Sequence, residues 1–273
     1  MAEAKNESVN EESRENFMKI SISIVTYNSD RVIKYCLDSI FKHIKNVQYE
    51  IIIVDNGSTD NTVKNIKSNF KNVRIIQNNN IGFGAAHNKA IKLGRGEYHL
   101  VINPDIIFTE NTIEKLINFM EENSDVGLIS PKIVFPDGTI QHLCKRSPCL
   151  FDLYVRRFTP GFIQDLFKKR IDYFEMRETG YNKIMDVPYL SGSVMLFRGS
   201  ILEEIGGFDE NFYIYFEDAD ITQRAAEISR AVFYPYTSVI HLWERGSHKN
   251  IKLLFISLVS TAKYFNKWGW KIF

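Results

Sequence analysis

From Lys19 onward the chain alternates short, unbroken apolar runs with stretches of helical spacing, and this alternation limits the fold more than any other feature. Ile20 to Val25 and Glu50 to Val54 (EIIIV) have the β-rich composition of strands but lack the polar alternation of a strand with one wet face. Strands of that kind are covered on both sides, which calls for helices above and below a parallel sheet. The intervening segments supply them. Asp30 to His43 carries Val32, Ile33, Leu37, Ile40 and Phe41 at helical intervals; a capped helix is expected from Ser58 and another from Gly82 to Leu93. Strands at Val73 to Gln77 and Tyr98 to Ile102, then a helix from Asn111 to Glu122, continue the series. The expected fold is α/β, a three-layer αβα sandwich around a mostly parallel central sheet.

The regular pattern ends after Gly127 to Phe135, where the turn at Pro136 to Gly138 predicts a hairpin. Residues 141 to 186 mix aromatics with Lys145, Arg146, Arg156, Arg157, Lys168, Lys169 and Arg170, which predicts irregular structure and short helices near a substrate. Order returns with an apolar run from Tyr189 to Phe197, a helix near Ser200 to Ile205, a turn at Gly206 and Gly207, a helix near Asp218 to Ile228 and a strand at Ala231 to Tyr234. At the end, Ile251, Leu254, Phe255, Leu258, Val259, Ala262 and Phe265 fall on one helical face. The charges from residue 245 on are Arg245, Lys249, Lys252, Lys263, Lys267 and Lys271, with no acid. Such a basic amphipathic helix, ending in Trp268 and Trp270, suits an anionic membrane surface or the protein's own core.

The chemistry is expected beyond the carboxyl ends of the parallel strands, where open α/β sheets bind ligands. Four loops there are polar: Thr26-Tyr27-Asn28, the segment Asp55 to Asp60, the segment Asn78 to Gly84, and Asn103-Pro104-Asp105. Together they form a shelf for a nucleotide. Asp55 and Asn56 can accept from a pyrimidine N–H or a ribose hydroxyl, and the helix start at Gly84 can face phosphate. Asp105, with Asn103 two residues earlier, suits a partly hydrated divalent metal on a diphosphate. His241 would complete that site with a nitrogen ligand, a mixture more typical of manganese. A second constellation runs from Gly206 to Asp220 and ends in Glu217, Asp218 and Asp220 after an aromatic run. A carboxylate at that helix start can stay ionised while partly desolvated, as a general base requires; capping and pairing with Arg224 explain the same residues structurally.

Several classes are excluded or disfavoured. With 34 Lys and Arg against 33 Asp and Glu, the formal net charge of +1 gives no global attraction to nucleic acid. The cysteines Cys36, Cys144 and Cys149 form no CxxC pair, which argues against a disulfide framework or a cysteine zinc site and for a reducing cytoplasm. No run approaches the roughly 18 to 20 apolar residues of a membrane span.

In this order, the four loops and the acidic block resemble the family 2 glycosyltransferases, inverting enzymes with the nucleotide-sugar-binding GT-A fold. The likeness runs from about Lys19 to His248. It implies that Thr26, Tyr27, Asn28, Asp55, Asn56, Ser58, Asn79, Gly82, Gly84, Asn103 and Asp105 hold a nucleotide sugar. It further implies that Asp218, with Glu217, is catalytic and that Asp105, His241 and Asn103 hold Mn2+ or Mg2+. Asn103 stands where the family's Asp-x-Asp motif has its first carboxylate, so one ligand is neutral. Asn103-Pro104-Asp105, the segment Ser191 to Arg198 and the aromatic-acidic block are similar to the branch that uses dTDP-L-rhamnose in bacterial surface polysaccharide synthesis; a UDP-hexose donor is the alternative.

The implied organisation is a flexible polar tail (1–18), one domain (19–248) with a nucleotide-binding half (about 19–135) and an acceptor-binding half (about 136–248), and the terminal helix (249–273). The implied acceptor is a glycan or lipid-linked glycan, and the implied location is the cytoplasm, peripheral on the inner face of the cell membrane. Two rivals share these residues. A sugar nucleotidyltransferase needs a Gly-rich basic loop that Thr26 to Arg31 lacks, and a non-catalytic sugar-nucleotide-binding module is favoured if Asn103 disables the metal.

Overall fold

The computed structural model describes residues 18–242 and 251–273. The expectations for the tail (1–17) and for Arg245, Ser247, His248 and Lys249 lie outside the described residues. Strands β1 (Ile20–Thr26), β2 (Tyr49–Asp55), β3 (Arg74–Gln77) and β4 (Tyr98–Ile102) pair in parallel in the order β3-β2-β1-β4. All of β1 and β4 and the last five residues of β2 are buried, as the lack of polar alternation requires. Helices cover both faces. Ile33, Leu37 and Ile40 of α1 (Ile33–His43) pack with Ile20, Ile22 and Ile24 on one side, while Ala86 and Ala90 of α3 (Phe83–Ile91) pack with Val25, Ile52 and Val54 on the other. Between them in sequence, α2 (Thr62–Asn69) returns the chain to β3.

Beyond β4 the sheet becomes mixed. After β5 (Ile106–Phe108) and α4 (Thr112–Glu122) the chain forms β6 (Val126–Val134), and it re-enters much later as β7 (Met185–Asp186), β8 (Val194–Arg198) and β9 (Arg230–His241). β8 inserts antiparallel between β4 and β6, β6 runs parallel to β9, and β5 and β7 pair antiparallel with β9. The parallel expectation thus describes the first half of a nine-stranded sheet.

Three local differences have physical causes. β9 is one twelve-residue strand, where the sequence shows two short apolar runs, because Pro235 sits in a register shift that moves the pairing from Tyr234 to Ser238. Proline is tolerated at such a bulge, which needs no ladder donor. The turn at Pro136 to Gly138 forms, with Phe135 N–H donating to Thr139 O at 2.8 Å, but its return arm is a single bridge at Ile140. The run from Tyr189 becomes strand only at Val194, leaving Tyr189 to Ser193 as a loop.

The irregular segment resolves into short helices α5 (Leu150–Phe158), α6 (Gly161–Leu166) and α7 (Lys168–Phe174), followed by α8 (Gly199–Glu204), α9 (Glu217–Ile228) and the terminal α10 (Ile251–Trp268). Among the described residues no helix is long and apolar enough to cross a membrane. The lower half of α10 docks on the domain: Tyr264 and Phe265 are buried with Phe212, Phe216 and Ala219. Its apolar stripe is only partly used, since Ile251 and Phe255 remain exposed.

An ion cluster fastens this helix. Asp220, with no exposed surface, receives Arg224 Nε at 2.8 Å, Lys267 Nζ at 2.7 Å and Trp268 Nε1 at 2.9 Å. Removing the shared carboxylate leaves Arg224 with only the Ile205 carbonyl and Lys267 with only Asp209, so Asp220→Ala is expected to cost about 1 to 3 kcal/mol. Urea unfolding checks this; an unchanged midpoint would show that α10 docks by apolar contact alone.

Candidate active site

The loops at the carboxyl ends of β1, β2 and β3 are tied into one shelf by their own side chains. Asp55, buried at the end of β2, accepts from Thr26 Oγ1 at 2.9 Å and from Ser58 N–H at 3.1 Å. Ser58 Oγ accepts from Asn28 N–H at 2.9 Å, and Asn28 Oδ1 accepts from Thr59 N–H at 2.8 Å. Asn56 binds the third loop: its Nδ2 donates to Asn80 Oδ1 and Gly82 O, both at 3.1 Å, and its Oδ1 accepts from Ile81 N–H at 3.0 Å. Both Asn56 amide hydrogens are therefore committed to scaffolding, while its Oδ1 keeps one acceptor site. Asp55 keeps spare lone pairs, because a carboxylate has about four acceptor sites. Tyr27, Asn28 and Asn79 are exposed at the rim. Ser58, expected to begin a helix, belongs to this shelf; α2 starts at Thr62, whose N–H is taken by Asp60 Oδ1 at 3.0 Å.

The glycine loop joins the shelf to the acidic block. Gly82 has φ of 96°, and a Cβ there would stand 2.5 Å from Tyr213 O, so only glycine fits. The next residue, Phe83, donates its N–H to the same Tyr213 carbonyl at 2.9 Å. The first N–H of α3 is thus taken by the 213 segment and is not offered to a phosphate. Tyr215 and Phe216 then both adopt left-handed backbone, with φ of 71° and 69°, immediately before α9. Bulky residues hold that conformation at a cost of about 1 to 3 kcal/mol each, and the aromatic cluster around Phe212, Phe216 and Tyr264 maintains it.

This strained turn delivers three carboxylates to three different environments. Asp218 is half-buried; its Oδ2 accepts from Gly192 N–H at 3.1 Å and its Oδ1 from Ala219 N–H at 2.9 Å. Glu217 is buried, and its Oε2 has no partner. Burial, and then the neighbouring Asp218 charge, hold the Glu217 carboxyl well above the usual carboxylate range. That shift favours its protonated form and disfavours it as a second base. Asp220 is the anchor of α10, and Arg224 pairs with it, not with Asp218.

Gly192 and Ser193 connect Asp218 to the Asn103-Pro104-Asp105 turn. Ser193 O accepts from Asn103 N–H at 3.0 Å, at the junction where Ile102 of β4 pairs with Val194 of β8. Asp218 and the Asp105 turn thus meet across two adjacent residues. Sequence reasoning did not single out the supports of this junction. Thr222, fully buried, donates to Asp218 O at 2.6 Å and accepts from Leu190 N–H at 3.3 Å, locking α9 to the loop. The Tyr189 phenol lies beside Asp218, and its pKa is raised by burial first and by that carboxylate second. A lone threonine inside a helix and a tyrosine in an apolar run carry no motif signal.

The residues expected to hold a metal were tested for fit. Asp105 Oδ2 lies 3.3 Å from His241 Nε2, and His241 Nδ1 sits 2.9 Å from Gln141 Oε1. If that contact takes the Nδ1 proton, Nε2 is oriented toward Asp105 as a ligand nitrogen. Asp105 Oδ1 is buried without a partner, which a cation would satisfy. Among the described residues no group of three or more His, Cys, Asp or Glu surrounds this point. The pair fits a hydrated ion that completes its sphere with water and ligand oxygens, with Asn103 able to offer an amide oxygen.

The Glycosyl transferase family 2 model matches residues 21–206 of this chain. An N-acetylglucosaminyl-diphospho-decaprenol L-rhamnosyltransferase of Mycobacterium tuberculosis is 27% identical over 205 residues, 70% of this chain and 66% of that protein. A poly(ribitol-phosphate) beta-glucosyltransferase of Bacillus spizizenii is 37% identical over 160 residues, 55% of this chain and 25% of that protein. The chain thus covers less than two thirds of the length of both curated relatives. Among solved structures, a mannosyltransferase of Pyrobaculum calidifontis in complex with GDP-Man and Mn2+ superposes with a TM-score of 0.61 at 19% identity, covering 92% of this chain and 65% of that one. That likeness establishes the fold.

The state of Glu217 has a measurable consequence. Because its pKa is raised on folding, the folded chain binds the proton more tightly, and this group's contribution to stability falls as pH rises above about 4.3, the unfolded carboxylate value. Glu217→Gln removes that penalty. Its stability relative to the parent is expected to improve from pH 4 to pH 8 in urea titrations; a difference independent of pH would mean that Glu217 is ionised in the fold.

Proposed function

This chain belongs to glycosyl transferase family 2, and from that premise we propose that it is an inverting glycosyltransferase with Asp218 as its general base. The observation that carries the reading is the Gly192-Ser193 junction, which joins Asp218 to the Asp105 turn beside the nucleotide shelf. In the proposed reaction the acceptor hydroxyl oxygen attacks the anomeric carbon, Asp218 takes the hydroxyl proton, and the bond from that carbon to the nucleoside diphosphate oxygen breaks. No enzyme nucleophile is needed. The two N–H donors on Asp218 fix its orientation before the acceptor arrives. Tyr27 and Asp55 are assigned to the nucleoside, with Asn28 and Ser58 fixing their loops. Asp105, His241 and Asn103 would hold a divalent ion, Mn2+ or Mg2+, which when bound would supply positive charge for the leaving diphosphate.

The donor is proposed to be dTDP-L-rhamnose and the acceptor a hydroxyl of a glycan or lipid-linked glycan, supported by the mycobacterial relative. The second reading is a UDP-hexose donor, favoured by the higher identity to the beta-glucosyl enzyme over its matched segment. We assign the work to the cytoplasmic face of a membrane, on the strength of the exposed apolar part of α10.

Turnover is read as nucleoside diphosphate release from dTDP- and UDP-sugars with Mn2+. Asp218→Asn is expected to lower it by about 10² to 10⁴ while donor affinity stays within a few-fold; near-parental turnover would exclude Asp218 as base. In the parent, Mn2+ should tighten dTDP binding in calorimetry, and Asp105→Ala should abolish that gain. An undiminished gain would remove Asp105 from the metal.

A further inference from the structure

An apolar depression near the acid block lies between α5 and α10. It has a volume of about 440 Å³, within the range of small-molecule sites, and its walls are Leu153 and Phe158 from α5 and Leu254 and Leu258 from α10. Phe216 closes one end, two residues before Asp218. Phe158 and Leu258 are nearly half exposed, and Phe255 beyond them is 64% exposed, an apolar surface that a chain stable alone in water has no reason to keep.

The cations sit at the same place. Arg156 and Arg157 line the depression. Arg156 pairs with Glu175 at 2.9 Å and its guanidinium rests 5.4 Å from the Phe174 ring centre, whereas Arg157 has no ion pair among the described residues. Lys145 continues the row toward the base. Its backbone is bridged to Tyr189, and its ammonium stands 4.4 Å over the Tyr189 ring, beside Asp218. Burial first, and then the Arg156 charge, bring the Lys145 pKa down to about 8, while Asp218 and Glu175 act in the opposite direction.

We propose that this groove holds the hydrocarbon chain of a single lipid-linked acceptor, with its phosphate head against Arg157, Arg156 and Lys145 and its sugar hydroxyl at Asp218. The order of surfaces (apolar walls, then cations, then base) matches the order of groups in a glycosylated lipid phosphate. The inference rests on the glycosyltransferase reading and names the acceptor class for that site.

Farnesyl diphosphate is the probe, with farnesol and pyrophosphate as its two halves, titrated by calorimetry against the full chain with saturating dTDP to block the donor site. Farnesyl diphosphate is expected to bind about tenfold or more tightly than either half. Leu258→Gln and Arg157→Gln, both at partly exposed positions, should each weaken it by about fivefold to tenfold. Pyrophosphate binding as tightly as farnesyl diphosphate, or parental affinity in both variants, overturns the proposal. So does a loss in both variants of binding to phosphatidylglycerol vesicles with monomeric farnesyl diphosphate unaffected, which would assign the surface to a bilayer. The parent reading is followed separately by dTDP binding without the lipid: if that binding is absent, the donor assignment fails while the groove measurement still stands.

Discussion

The antiparallel insertion of β8 beside β4 is the contact on which the site depends. Parallel strands β1 to β4 by themselves end in a polar shelf with no base. By running against β4, β8 begins where β4 ends, so the loop that feeds it, Tyr189 to Ser193, lands at the carboxyl edge of the parallel sheet. That loop then makes two backbone contacts, Ser193 O to the Asn103 turn and Gly192 N–H to Asp218. Gly192 has little room for a side chain: a Cβ there would stand 3.3 Å from Asp218 Cβ and 3.5 Å from the Phe83 ring. One glycine therefore sets how closely Asp218 approaches the ends of the parallel strands.

The acidic block shows how three carboxylates within four residues acquire different properties without different chemistry. The left-handed turn at Tyr215 and Phe216 starts α9 abruptly, and helical rotation then sends successive side chains in different directions. Glu217 enters the interior with one oxygen unpartnered and its pKa raised by burial, Asp218 meets two N–H donors at the cleft, and Asp220 meets two cations and an indole under the terminal helix. Desolvation, hydrogen bonding and ion pairing decide the outcome in each case.

Periodicity was the legible part of this fold. The unbroken runs at Ile20, Glu50 and Tyr98 announce buried parallel strands because burial on both faces leaves no polar position. Legibility fails where a strand is short or interrupted. β5 is three residues long, and β9 runs through Pro235 at a bulge, so neither presents a period. At the site, the loops were visible because strand-end polar residues have few structural reasons to cluster. The division of labour within them was not, since it depends on partners distant in sequence: Asn56 reads as an unengaged amide until Asn80, Ile81 and Gly82 bind it, and Glu217 reads as the equal of Asp218 until burial separates them. Thr222 and Tyr189 matter only through contacts that no local pattern encodes.

Asp218 and Asp220 lie on the first turn of one helix, and this ties the chemistry to the shape of the surface around it. Asp220 holds Lys267 and Trp268, and so fixes the lower end of α10; the upper end of that helix forms one wall of the apolar groove that Phe216 closes. Ser260 Oγ adds a hydrogen bond to Ile214 O at 2.9 Å, fastening α10 directly to the segment that enters the strained turn. Asp218 and the groove wall are therefore referenced to the same four residues, Phe216 to Ala219, and to one buried aromatic cluster. A helix appended after the sheet is complete need not contribute to catalysis, yet here its docking buttresses the turn that positions Asp218. Stored backbone strain persists only where surrounding contacts over-determine it, and α10 supplies those contacts.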